Sequence, residues 1–293
     1  MSEVNVGDGV VSIEGRDVGF RLHGPSTGTP VVLHTGTPGT SMLSPQQVSA
    51  AERAGVRLLV IDRPGYGAST RQPGRRVVDV VANVARIADD LGWDRFAVWG
   101  GSGGAPHALA CAAALPHRVT KCASVVGPAP FDASGLDWWA GMSPGNVEEF
   151  RLAQRGESAY RPLVAKLAAD AVSAAAAGDI QVGEQYQLAD SDIAALKART
   201  SEDGYLARVQ ASFQDGMDGW IDDGIAMVQP WGFDLATISV PVSVRYGLDD
   251  VLVPSSHGDY LARVIPDAHQ ALLSGGHILS DDDLDSIYAW LTS

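Results

Sequence analysis

The chain has 293 residues, 45% of them hydrophobic, which suits one large domain, or one domain with a sizeable insertion, around a substantial core. A formal net charge of −14 and a pI of about 4.7 leave no basic face for phosphates, which argues against nucleic acid and anionic membranes as partners. No apolar run approaches a membrane span, residues 1–9 are polar and acidic with no signal segment expected, and Cys111 and Cys122 lie in apolar stretches as reduced core residues, so a cytoplasmic setting is expected.

In chain order, residues 10–14 and 18–22 are predicted as two antiparallel strands. Residues 31–34 form a short buried strand ending in a glycine and proline loop, and a helix follows over about 45–55. The strand 58–61 runs into the turn-rich Asp62-Arg63-Pro64-Gly65-Tyr66-Gly67, and a helix over about 77–91 stops at Gly92. A strand over 95–99 leads into Gly100-Gly101-Ser102-Gly103-Gly104, an alanine-rich helix over 105–115 and a buried strand over 122–126. Short apolar strands separated by helices imply a parallel sheet covered on both faces.

The pattern then changes. From about 132 to 233 no strand is predicted, only helices: one capped by Asn146 and running to 155, then 157–177, 191–200, 201–213 and 217–228. The sheet pattern resumes at 242–246, followed by a helix over 256–264, a last strand over 270–273 and a C-terminal helix over 283–291. The acidic clusters Asp89-Asp90, Asp222-Asp223 and Asp281-Asp282-Asp283 read as solvated faces or helix starts, not as metal sites.

Strand, Gly-x-Ser-x-Gly, helix is a nucleophile-elbow pattern. A serine on so sharp a turn stands clear of the sheet in a strained conformation, and its neighbours two places away must be nearly free of side chain, as Gly100 and Gly104 are. Gly103 puts a bare N–H directly after the serine, where an oxyanion would form. An acid is expected just past the strand 242–246: Asp250, with Asp249 as the alternative and Asp132 as a weaker third candidate. His277, in Ser274-Gly275-Gly276-His277 after the last strand, is the candidate base, giving the order serine, acid, histidine. His107 is read as packing or pocket wall, and His23, His117, His257 and His269 as surface or loop residues. The second oxyanion donor is assigned to the Thr37 N–H in His34-Thr35-Gly36-Thr37-Pro38-Gly39, with Gly36 as the alternative.

These residues together resemble the α/β-hydrolase family over nearly the whole chain. Thr35-Gly36-Thr37-Pro38-Gly39 is similar to the family's His-Gly-x-Pro-Gly oxyanion loop, with threonine where the histidine usually stands and His34 one place earlier. Asp62 to Ser69 matches the structural Asp-x-x-Gly-x-Gly-x-Ser loop, and Gly247-x-x-Asp250-x-x-x-Pro254 and Gly276-His277 match the acid and histidine motifs, favouring Asp250 over Asp249. The resemblance implies a mostly parallel eight-stranded sheet with helices on both faces. It also implies a core of residues 1–131 and 234–293 and a helical cap, 132–233, inserted after the sixth strand. Of the bulky cap residues, Trp138, Trp139, Met142, Met217, Trp220 and Met227 are expected to line a substrate pocket together with Gly36.

The function this implies is a serine hydrolase of a small, fairly apolar ester, thioester or lactone, needing no metal or organic cofactor, monomeric or homodimeric. Family dehalogenases and epoxide hydrolases use an aspartate nucleophile, and Ser102 argues against both. Peptidases releasing N-terminal proline often carry Trp after the nucleophile, where this chain has Gly103, and carbon–carbon bond hydrolases share the same triad. A nucleotide-binding oxidoreductase is disfavoured because neither glycine-rich loop reads Gly-x-Gly-x-x-Gly and no Gly-Lys-Ser/Thr is present. A slow-turnover ligand receptor on the same fold is the reading from another class.

Overall fold

The computed structural model describes residues 7–180 and 183–293; of the N-terminal stretch 1–9, residues 1–6 lie outside them. Among the described residues eight strands form one sheet: β1 (Gly7–Ile13), β2 (Arg16–His23), β3 (Thr29–His34), β4 (Val56–Ile61), β5 (Phe96–Gly101), β6 (Val119–Val125), β7 (Val242–Tyr246) and β8 (Ala268–Leu272). Their spatial order is β1-β2-β4-β3-β5-β6-β7-β8; β1 with β2 and β2 with β4 are antiparallel, and every other pairing is parallel.

Alternate residues of the central strands feed two separate cores, as a period of two requires. Val32, Leu59, Ile61 and Val98 face α2 (Val81–Asp90), α3 (Ala105–Ala114) and α9 (Ser255–Val264). Val31, Leu33, Leu58, Val60, Ala97 and Trp99 face α1 (Pro45–Arg53) and α10 (Asp281–Thr292). The first and last helices carry serine-led starts: Ser44 with Gln47 opens α1, and Ser280 with Asp283 opens α10. The cluster Asp281-Asp282-Asp283 is thus a helix start. The helix predicted over 77–91 opens with a tighter 3₁₀ turn, Val77–Val80, before α2.

Between β6 and β7 the described residues contain no strand. They form the helical cap: α4 (Pro144–Gln154), α5 (Glu157–Ala176), α6 (Asp190–Thr200), α7 (Tyr205–Ala211) and α8 (Asp218–Met227). Ala153, Tyr160, Val164, Ile221 and Val228 give this layer its own small core. Asn146 is not the cap residue of α4, which starts from Ser143; its amide donates instead to the Leu252 carbonyl at 2.6 Å, tying the cap to the loop after β7.

Because parallel strands all point one way, the loops after β3, β5, β7 and β8 gather at one edge, beneath the cap, and the chain reverses direction of winding between β3 and β5. That edge is where an open α/β sheet places its chemistry.

Candidate active site

The site is built from a steric conflict. A Cβ on Gly100 would sit 2.3 Å from the Gly104 carbonyl oxygen, and one on Gly104 would sit 2.0 Å from the His34 carbonyl oxygen. Only glycine lets β5, α3 and β3 approach so closely. Between the two glycines Ser102 takes a φ of 53°, a left-handed conformation uncommon for a residue with a side chain.

His277, on the loop after β8, has its Nε2 2.9 Å from Ser102 Oγ, and its Nδ1 lies 2.7 Å from Asp250 Oδ2. With Nδ1–H donating to the carboxylate, Nε2 is the nitrogen left to accept the serine proton. The second oxygen of Asp250 accepts from the Leu252 and Val253 N–H groups at 2.9 and 2.8 Å, so the acid is fixed at both ends. Asp249 and Asp132 are exposed, while Asp250 and His277 are buried. Burial alone would pull the His277 pKa down; the charge and hydrogen bond of Asp250, helped by Asp192, more than offset it and leave the pKa above its ordinary 6.5.

Asp192 is a residue the sequence reading missed. It lies in the first turn of α6, is buried, and accepts from the His277 and Ile278 N–H groups at 3.0 and 2.8 Å. A Cβ on Gly276 would collide with its carboxylate, which explains the glycine before the histidine.

The loop after β3 is held from below. Arg63, fully buried, donates Nη1 to the Thr35 carbonyl at 2.5 Å and Nη2 to the Gly36 carbonyl at 2.9 Å. In a trans peptide the N–H points opposite to the C=O, so the Gly36 and Thr37 N–H groups are turned away from the guanidinium. Gly36, Thr37, Ser102 and Gly103 all line the same cavity, and the Thr37 N–H has no hydrogen-bond partner among the described residues. The Thr37 hydroxyl donates to Asp223 Oδ2 at 2.7 Å.

Asp223, from α8, is the hub beneath this loop. It pairs with Arg63 and Arg75 at 2.6 Å each and accepts from the Tyr66 hydroxyl at 3.0 Å, all of these groups being buried. Burial would raise its pKa, but the two guanidinium groups outweigh that and hold it well below the usual carboxylate range. Asp222 is buried against Arg71 at 2.8 Å. The pair read as a solvated face or helix start is therefore a double anchor of the cap in mid-helix, because each carboxylate finds an arginine of the loop after β4.

A cavity of about 660 Å³ lies over Ser102 and His277, between the cap and the sheet edge. Gly36, Trp220 and Met227 line it. Trp138, Trp139, Met142 and Met217 do not, which corrects the expectation for those four. Trp138 donates its indole N–H to the Ala129 carbonyl at 2.9 Å and packs edge-on against Phe131, Trp139, Phe150 and His257. Trp139 lies against Phe131 beneath the Arg151 guanidinium, Met142 is buried, and Met217 packs on the cap's own core. The lining that sequence reasoning missed includes apolar side chains such as Leu167, Leu196 and Phe213 and a polar set: Glu149, accepting from the Tyr160 and Tyr186 hydroxyls at 3.0 and 2.6 Å, and Arg199, Glu202 and Arg208 from the α6–α7 region.

Two histidines also move inward. His257 is buried, its Nδ1 accepting from the Ala129 N–H and its Nε2 donating to the Trp138 carbonyl, both at 3.1 Å, and His23 is buried near the Ser41 carbonyl. His107 packs under the site, Nδ1 to the Val77 carbonyl at 3.0 Å, and does not line the cavity. His34 turns its Nε2 to Cys111 Sγ at 3.6 Å.

A model of the α/β-hydrolase fold matches residues 29–284, and the chain belongs to that family. An epoxide hydrolase B of Mycobacterium tuberculosis is 34% identical over 128 residues, 40% of this chain and 35% of the relative; the chain thus matches about a third of that protein's length. A 2-hydroxy-6-oxononadienedioate/2-hydroxy-6-oxononatrienedioate hydrolase of Cupriavidus pinatubonensis is 26% identical over 275 residues, 90% of this chain and 86% of the relative. The fold is similar to that of an enol-lactonase from Burkholderia xenovorans, with a TM-score of 0.67 and 19% identity over 97% of this chain and 98% of the other. No described helix is long and apolar enough to cross a membrane.

Removing the charge of Asp223 leaves two buried guanidinium groups without their partner. Asp223→Asn is expected to lower the unfolding free energy by about 3–5 kcal/mol in urea denaturation. A loss below about 1 kcal/mol would show that the cluster does not depend on that charge.

Proposed function

We propose that this chain is a serine hydrolase that cleaves small esters, thioesters or lactones through an acyl-enzyme. What carries the reading is the hydrogen-bonded line Ser102–His277–Asp250, whose serine and histidine line the cavity. His277 takes the Ser102 proton as Oγ attacks the carbonyl carbon, and Asp250 holds the imidazole in the needed tautomer and stabilises its cation. The Thr37 and Gly103 N–H groups receive the developing oxyanion, each such donor being worth about 3 kcal/mol of barrier. The protonated His277 then gives its proton to the leaving oxygen or sulfur. Water, deprotonated by the same imidazole, attacks the acyl carbon and returns Ser102 to its free state.

The serine sets the reaction apart from chemistry that starts from an aspartate nucleophile, the expectation stated above for epoxide hydrolases. Carbon–carbon bond hydrolysis is the second reading, favoured by the match over 90% of this chain to the Cupriavidus 2-hydroxy-6-oxononadienedioate/2-hydroxy-6-oxononatrienedioate hydrolase. The cap, with proposed bounds 132–233, closes the cavity over the core residues 1–131 and 234–293. We further propose that no cofactor takes part, and that the partner is a small molecule.

A fluorophosphonate is expected to label Ser102, and Ser102→Ala to abolish labelling in peptide mapping; label on another residue, or none on folded protein, contradicts the assignment. Because His277 must be neutral to act and its pKa lies above its ordinary 6.5, kcat/KM for an ester is expected to rise with pH to a midpoint above 6.5. Asp250→Asn should move that midpoint down while lowering the rate; a profile flat from about pH 5 to 8 counts against a histidine base.

A further inference from the structure

The cavity wall formed by the end of α6 and the turn beyond it carries charge that the acyl transfer does not use. Arg199, in the last turn of α6, lines the cavity, and its hydrogen bond from Nη2 to the Leu279 carbonyl is long at 3.4 Å. Among the described residues no carboxylate pairs with it. The neighbouring acid, Glu202, is committed to Arg208 at 2.7 Å. Asp192 spends its two oxygens on the histidine loop. Glu149, on another part of the wall, is held by two tyrosine hydroxyls.

A guanidinium drawn out of water with no carboxylate at ion-pair distance is costly: burial pulls the pKa of Arg199 down, outweighing the more distant attraction of Glu202 and Asp192. The chain has 35 acidic side chains against 21 basic ones, so this unpaired cation does not reflect a shortage of carboxylates. A ligand anion is the counter-charge that the cavity can admit. One free guanidinium offers the planar fork that matches a carboxylate.

We infer that Arg199 is a carboxylate-recognising residue, and that the substrate is an ester, thioester or lactone bearing a carboxylate at its non-reacting end. The inference rests on the acyl-transfer reading and deepens it. Leu279, which Arg199 touches, is two residues from His277, a separation of at most about 7 Å of chain. The scissile carbonyl and the anion therefore fit within one small molecule. Leu252, Ile278 and Leu279 supply apolar wall for the methylenes between them. Asp192, Leu196 and Arg199 recur at spacings of four and three along α6, so the face that buttresses the histidine loop also presents the cation.

The test compares 4-nitrophenyl hydrogen adipate with its methyl ester. The wild-type protein is expected to favour the free acid in kcat/KM by about tenfold, a preference of about 1.4 kcal/mol. Arg199→Gln is expected to bring the ratio to about one, and Arg199→Lys to retain part of it. Circular dichroism checks that the variants fold. Ser102-dependent hydrolysis of the methyl ester with no preference for the acid in the wild type overturns this inference and leaves the acyl-transfer reading standing. A preference that survives in a folded Arg199→Gln also overturns it. Hydrolysis of neither ester, with no fluorophosphonate label on Ser102, overturns the acyl-transfer reading and this inference with it.

Discussion

The closeness with which β5 and α3 cross decides where chemistry can occur in this molecule. Side chains at positions 100 and 104 would run into backbone, so the turn between them is tight enough to hold Ser102 at a φ of 53°. A conformation that most residues avoid is maintained because strand pairing on both sides of β5 over-determines it. The hydroxyl then stands at the sheet edge, where the loops after β7 and β8 bring an acid and an imidazole to it.

A second constraint joins the two layers. The carboxylate of Asp223 comes from the cap and the guanidinium of Arg63 from the core, and neither can stay buried without the other. Their pairing fixes the loop after β3 from beneath, since Arg63 also holds two of its carbonyls. Asp192 repeats the arrangement above the histidine. The cap therefore does more than cover the cavity: two of its carboxylates hold in place the loops that the proposed reaction needs.

Local motifs made much of this legible. Gly100, Gly104 and Gly276 mark close approaches that depend on their immediate neighbours or on a single contact, and the sequence pattern around them is short and specific. A largely parallel sheet covered on both faces followed from the alternation of short apolar runs with helices, and Ser102, Asp250 and His277, found by their places after strand ends, are brought together by the fold. What stayed hidden depends on pairing across long stretches of chain. Asp222-Asp223 looks like any solvated acidic pair until Arg71, Arg63 and Arg75 are placed opposite it. Asp192 and Arg199 lie on an unremarkable helix whose inner face only the fold of the cap defines. Trp138 and Trp139 were expected in the pocket for their bulk, yet the short path from β6 pins them to the core beside His257.

Trapping the intermediate tests the account most directly. Wild-type protein is mixed with 4-nitrophenyl butyrate, quenched in acid within the first turnover and mapped by peptide mass. A butyryl group on the peptide holding Ser102, absent from Ser102→Ala, is the expected result. Release of nitrophenol in that turnover with no acyl group on the protein, or with the group on another side chain, would contradict it.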